Sequence, residues 1–294
     1  MANALKTLVA TGCSSGLGFD AIKQLLTKQP PLSPPVNIST ALLGVRDAPA
    51  ATAAYTAAGL APTVVPLELS DLSSVKEFAA KTLEVLGSAP LDYLLLNAAN
   101  AYTVDHGSRY GKWCEQYIVN HLSQHYLLHL LRPKLVESKT RIVVVSSGAI
   151  RGVSDPSIIE EQLKGTPGPT YIANVYQQTK FVQLLGAHWW RRQLAGQCTV
   201  VAVSPGMVPG TRLTRGSDFN FPANSPDARS VEDGATSILQ ALVRSDLPEN
   251  PDQIFLTSWG EWWGTDVIGL TLDKGLQDKW SPSKEEIEEI MATA

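Results

Sequence analysis

Along nearly all of the 294 residues, short apolar runs alternate with amphipathic stretches. Seven runs read as strands: 7–10, 38–45, 63–69, 91–96, 141–146, 199–204 and 253–256. Most are β-branched or leucine-rich and show no polar residue at every second position, the pattern of strands covered on both faces of a parallel sheet. Between them apolar positions recur at helical spacing, as at Phe19, Ile22, Leu25 and Leu26. Ser74 followed by Glu77 predicts a capping box at the front of another helix. Residues 110–136 predict two helices or one broken helix. Repeated β-α units imply an α/β fold, a doubly wound, about seven-stranded parallel sheet with right-handed crossovers and helices on both faces.

Nothing along the chain marks a linker between domains. The proline-rich stretch 28–37 lies between the first two strands and reads as a stiff loop. The chain is therefore expected to form one domain over 1–294, with cofactor binding mainly before about residue 140 and substrate loops after it. Two longer segments, 152–170 and 210–230, are rich in Gly, Pro, Asp and Ser and follow the C-terminal ends of strands. Ligands bind at that edge of open α/β sheets, so these segments read as a substrate lid or, equally, as surface loops.

Composition narrows the partners. The chain is 44% hydrophobic and 18% charged with a net charge of −4, so it lacks the basic excess that nucleic acid or an anionic membrane would require. No apolar run approaches the roughly 18 residues of a membrane span. Cys13, Cys114 and Cys198 are odd in number and show no CxxC spacing, which points to a reducing compartment. The first residues enter a strand directly, without a signal-peptide pattern, and a cytoplasmic location is expected. His121, His125 and His129 fall at i, i+4 and i+8, near one helix face. No HExxH pattern or carboxylate accompanies them, and no metal is expected there.

Three places carry chemistry. Between the first strand and helix lies TGCSSGLG, residues 11–18. Gly12 allows a sharp turn off the strand, while Gly16 and Gly18 remove side chains where a pyrophosphate would approach backbone N–H groups at a helix N-terminus. The second strand ends in LLGVRD, where dinucleotide folds read the adenosine ribose, with an acid for NAD or an arginine for a 2′-phosphate. Arg46 suits such a phosphate, Ser15 is compatible with it, and Asp47 could instead cap the next helix. Finally, VYQQTK (175–180) sets Tyr176 and Lys180 four residues apart on one helix face. Of eight tyrosines only this one has a lysine at that spacing. A free phenol titrates near 10, and a neighbouring ammonium favours the phenolate.

The TGxxxGxG loop, taken with the motifs that follow it in order, resembles the short-chain dehydrogenase/reductase family. LNAA at 96–99 and NHL at 120–122 are most similar to the retinol dehydrogenase and protochlorophyllide reductase branch. The resemblance implies a Rossmann-like fold and NADP(H), with Gly12, Ser14, Ser15, Gly16, Leu17, Gly18 and Arg46 along the dinucleotide. Glu68 and Leu69 stand where the family usually has Asp-Leu or Asp-Val beside the adenine. Asn97 would stabilise the sheet edge, and Ala98 and Ala99 would let the cofactor lie close. Pro205, Gly206 and Val208 would shape the nicotinamide pocket, with Thr211 near the phosphates or carboxamide. Asn120, Ser147, Tyr176 and Lys180 would form the catalytic set. Ser147 and Tyr176 would bind the substrate oxygen, Tyr176 would move the proton, Lys180 would hold the nicotinamide ribose, and Asn120 would support a water-linked relay. Ser146 is the adjacent alternative to Ser147, but strand alternation points it to the other face.

The implied activity is hydride transfer between nicotinamide and the carbonyl or alcohol of a small molecule. The tryptophans of SWGEWWG (258–264), with Phe219 and Phe221, suggest a bulky lipophilic substrate if they reach the cleft; otherwise they pack the C-terminal segment. A non-redox isomerase, dehydratase or cyclase on the same fold, or an NADP(H)-binding sensor, are the alternatives. Members of the family range from monomers to tetramers, which leaves a homo-oligomer open.

Overall fold

The computed structural model describes residues 5–101, 108–164, 171–211, 213 and 227–294. Seven strands form a single sheet in the order β3-β2-β1-β4-β5-β6-β7, every neighbouring pair parallel. They are β1 (Leu5–Thr11), β2 (Asn37–Val45), β3 (Thr63–Pro66), β4 (Tyr93–Leu96), β5 (Arg141–Val145), β6 (Thr199–Val203) and β7 (Phe255–Leu256). The order reverses between β1 and β4, and a crevice opens beyond their C-terminal ends, as doubly wound sheets require.

Each strand serves two cores, which is why none alternates with polar residues. Val9, Leu94 and Leu96 face one core; Leu8, Ala10 and Leu95 face the other. The first is closed by α3 (Leu72–Leu86), α4 (Ser123–Ser138) and α5 (Tyr171–Gln193), through side chains such as Phe78, Leu131 and Phe181. The second is closed by α1 (Gly16–Thr27), α2 (Ala48–Ala57) and α6 (Val231–Val243), through Ile22, Tyr55 and Leu239.

Several boundaries differ from the sequence reading. The third strand ends at Pro66 rather than at 69; β3 is the edge strand, where a proline is tolerated, and one more bond, from Leu67 N to Val45 O at 2.8 Å, follows it before the chain turns away. Ser74 opens no capping box. Helix α3 starts one residue after Asp71, whose carboxylate accepts from Ser73 N at 3.0 Å, and Ser74 lies already inside the first turn, its hydroxyl accepting from Glu68 N. A capping box does form at Ser283 and Glu286, at the front of α7 (Lys284–Ala292). The region before α4 is one helical path with a wide turn: Glu115–Tyr117 leads into a π-helical segment, Ile118–Leu122, and then into α4. Such π turns recur at functional sites, and this one carries Asn120.

The three histidines fasten the C-terminal segment. His121 Nε2 donates to Trp280 O at 2.7 Å and His125 Nε2 to Pro282 O at 2.9 Å, while Trp190 Nε1 donates to His125 Nδ1 at 2.9 Å. Burial holds His121 down to about 4, so the ring is neutral near pH 7. No helix among the described residues is long and apolar enough to cross a membrane.

Candidate active site

A cleft of about 860 Å³ lies over the β1–β4 switch point. Every residue expected to hold the cofactor, from Gly12 to Thr211, borders it. The glycines of the first loop are there for different reasons. A Cβ on Gly12 would sit 2.5 Å from Ala98 Cα, and one on Gly18 would sit 2.3 Å from Gly12 O and 2.4 Å from Asn97 Nδ2. These two glycines let the loop press against the end of β4. Gly18 thus borders the cleft and also meets a packing need within the chain. Gly16, at φ +56°, meets only Thr211, at 3.6 Å. Asn97 Nδ2 donates to Gly12 O at 2.8 Å, and the Thr11 hydroxyl accepts from the N–H groups of Asn97 and Ala98. Ser15 stands at the N-cap of α1 without a side-chain cap, which leaves the first-turn N–H groups without a side-chain partner.

At the end of β2, Arg46 is exposed at the cleft and has no carboxylate partner among the described residues. Asp47 is committed elsewhere, since its carboxylate accepts from Ala50 N at 2.9 Å and caps α2. Glu68 borders the cleft with Oε1 already accepting from the Ser70 N–H and hydroxyl, both at 2.9 Å.

At the other end, Ser147, Tyr176 and Lys180 converge on the same space. Tyr176 and Lys180 sit one turn apart on α5, with the Lys180 ammonium 6.0 Å from the Tyr176 ring centroid. Lys180 is 1% exposed, and its Nζ donates to Val145 O at 2.9 Å and to Gln183 Oε1 at 3.0 Å. Burial pushes this ammonium down to about 7. Ser147 begins a 3₁₀ turn (Gly148–Gly152); its hydroxyl accepts from Ala149 N at 3.1 Å and keeps its own hydrogen to donate. Ser146 borders the cleft as well but is buried, and its hydroxyl donates to Lys180 O.

Asn120 does not border the cleft. It is fully buried one layer behind, where its Oδ1 accepts from Asn100 N at 2.7 Å and its Nδ2 donates to Asn100 O and Thr179 Oγ1. It therefore ties the end of β4 to α5 and touches no solvent. Residues that the sequence did not flag complete the wall: Asn100, whose Nδ2 donates to Glu115 at 2.9 Å, and Arg151, whose guanidinium lies 5.0 Å over the Trp263 ring. Gln177 and Asp227 join them. No local motif marks these positions, which are brought together only by the folding of separate loops.

None of Trp259, Trp262 and Trp263 borders the cleft. Trp263 packs in the core and Trp262 forms a bridge with Leu256, so packing of the C-terminal segment explains these two, while Trp259 is exposed. Phe219 and Phe221 lie outside the described residues, as does most of 210–230. Of 152–170, residues 152–164 are described, and they include a short helix, Ile159–Lys164.

No protein-family model matches the chain. A short-chain dehydrogenase/reductase of Pestalotiopsis microspora is 51% identical over 292 residues, covering 96% of this chain and 98% of that protein. The chain belongs to the short-chain dehydrogenase/reductase family. It is an oxidoreductase of that type, and the Rossmann-like fold agrees with solved structures. NADPH-bound carbonyl reductase from chicken fatty liver superposes with a TM-score of 0.66 at 23% identity, over 89% of this chain and 95% of that one. Carbonyl reductase Sniffer of D. melanogaster gives 0.63 at 18% identity, over 88% and 99%.

Proposed function

We propose that this short-chain dehydrogenase/reductase is an NADP(H)-dependent reductase, or the reverse dehydrogenase, acting on the carbonyl or alcohol of a small molecule. The observation that carries the reading is the meeting of Ser147, Tyr176 and Lys180 in the same cleft as the open N-terminus of α1 and Arg46. The residues fit a dinucleotide. Gly16 leaves backbone open toward the cleft, the first turn of α1 offers N–H groups to a pyrophosphate, and Arg46 offers an unpaired guanidinium to a 2′-phosphate. The acid that would favour NAD is missing from this point, since Asp47 caps α2.

When bound, the nicotinamide cofactor supplies or accepts the hydride. The chain does the rest. Ser147 donates its hydroxyl hydrogen to the substrate oxygen, and Tyr176 gives that oxygen its proton in reduction or takes it in oxidation. Lys180 has two of its three N–H groups fixed on Val145 and Gln183; the third serves the cleft, where its charge favours negative charge on the Tyr176 oxygen. Asn120 acts at one remove, holding Asn100 and Thr179 in place. With the tryptophans outside the cleft, a bulky lipophilic substrate loses its main support. Asn100, Glu115, Arg151, Gln177 and Asp227 give the substrate a wall with polar contacts instead.

The test is NADPH consumption over a broad panel of ketones and aldehydes with wild type and Tyr176→Phe. A loss of roughly 10²–10⁴ in kcat is expected for the variant, with NADPH affinity kept. Undiminished turnover by Tyr176→Phe would overturn the proton assignment, and product formation without NADPH consumption would favour the non-redox alternative.

A further inference from the structure

Behind the cleft, between α4, α5 and the sheet, lies a small, largely apolar cavity of about 20 Å³ bordered by, among others, Gln124, Gln183, His121 and His125. Both glutamines are at least 96% buried, and each presents one polar atom without a protein partner: Oε1 of Gln124 and Nε2 of Gln183. We propose that these two amides hold one ordered water between them, and that this bridge positions Lys180, with Gln183 as the positioning residue.

Chemistry fixes which way both amides face. Gln183 Oε1 must meet Lys180 Nζ, because an ammonium only donates, and so Gln183 Nε2 points the other way. Gln124 Nε2 reaches three carbonyls, of Ala98 at 2.9 Å, Val119 at 3.1 Å and Asn120 at 3.2 Å. Two of these carbonyls lie in the π-helical turn, where the regular bonding ladder is broken. Flipping Gln124 would set its oxygen against three others, so Oε1 faces away from them. Gln183 and Gln124, both bordering the cavity, therefore carry, respectively, a spare amide donor and a spare amide acceptor. A void of this size accommodates one water, which needs roughly 10–15 Å³ and two or more polar partners. Leaving both amide atoms bare would forfeit their hydration without return.

The bridge restricts Gln183 to one orientation and so keeps an acceptor on the ammonium. The groups around Lys180 are few. Tyr176 and Gln183 stand on its own helix, the Val145 carbonyl faces it from β5, and His121 and His125 face the cavity from the helical path across it. Desolvation alone shifts Lys180, with no charged group among the causes. A carboxylate introduced at position 183 would therefore be the dominant charge nearby.

This inference rests on the proposed role of Lys180, and the experiment separates the two. A high-resolution crystal structure of the wild-type protein should show one solvent peak about 2.7–3.2 Å from both Gln124 Oε1 and Gln183 Nε2. An empty cavity, or a direct bond between the two amides, overturns the bridge. The second arm measures kcat/KM for NADPH against pH, whose alkaline limb reports loss of the Lys180 proton from the free enzyme. Gln183→Glu should move that limb up by about one pH unit or more. Gln183→Leu should move it down and lower kcat roughly tenfold, the loss of one hydrogen bond to a charge. Identical pH profiles in wild type and both variants refute the positioning role. Wild-type kcat and pH profile in Lys180→Met would refute the role of Lys180 itself, while the solvent peak would still decide the bridge.

Discussion

Lys180 is an ammonium almost entirely removed from water, so its cost to the fold should be measurable. Burial lowers it from 10.5 to about 7. At about 1.4 kcal/mol per pH unit, this amounts to a penalty of about 5 kcal/mol on the charged form in the folded state. The penalty is complete below pH 7. Above it the folded lysine gives up its proton while the unfolded chain keeps one up to about 10.5, so unfolding takes up a proton and stability rises with pH. Lys180→Met removes this dependence. It also strips Val145 O and Gln183 Oε1 of a donor, at about 1–3 kcal/mol each. Those losses do not change with pH, so the difference between the proteins matters more than either absolute value. Urea unfolding of the cofactor-free proteins between pH 6 and pH 10 measures it. Relative to the variant, the wild type should gain about 1.4 kcal/mol per pH unit above pH 7. A difference that stays flat over this range would show that Lys180 is not desolvated as described. The same substitution should abolish turnover, separating a residue kept for chemistry from one kept for stability.

Two further outcomes follow from residues at the edges of this picture. Arg46→Ala should weaken NADPH roughly 10- to 100-fold, the worth of one or more bonds to a charged phosphate, and leave NADH almost unchanged; equal losses measured by fluorescence titration would refute the phosphate contact. His188 is held down to about 4 by burial, with Nε2 lacking a protein partner. The unfolded chain binds a proton on His188 below about 6.5 and the folded chain only below about 4, so stability falls through that window by up to about 3 kcal/mol. His188→Leu should remove this part of the acid limb in unfolding measurements between pH 6.5 and pH 4, and an unchanged limb would locate the sensitivity elsewhere.

The sequence by itself determined the frame. A strand buried on both faces must be apolar at every position, so the seven runs, and with them the parallel α/β sheet, could be read directly from the chain. The chemical motifs were legible because their parts are neighbours: a glycine loop within eight residues, a tyrosine and a lysine one helical turn apart. Tertiary structure decided what depends on residues distant in sequence. Gly18 and Gly16 look alike in the chain and both border the cleft, but only the fold shows that Gly18 lies pressed against Asn97 and Gly12 while Gly16 takes a positive φ with only Thr211 near it. Three histidines at metal-like spacing proved to clasp carbonyls more than 150 residues away. The tryptophans, which could have lined the cleft or packed the C-terminal segment, do not border the cleft, and Asn120 stands behind it. Gln124 and Gln183 carried no signal at all, since a glutamine is notable only once its two amide atoms are known to face an ammonium, three carbonyls and a space the size of one water.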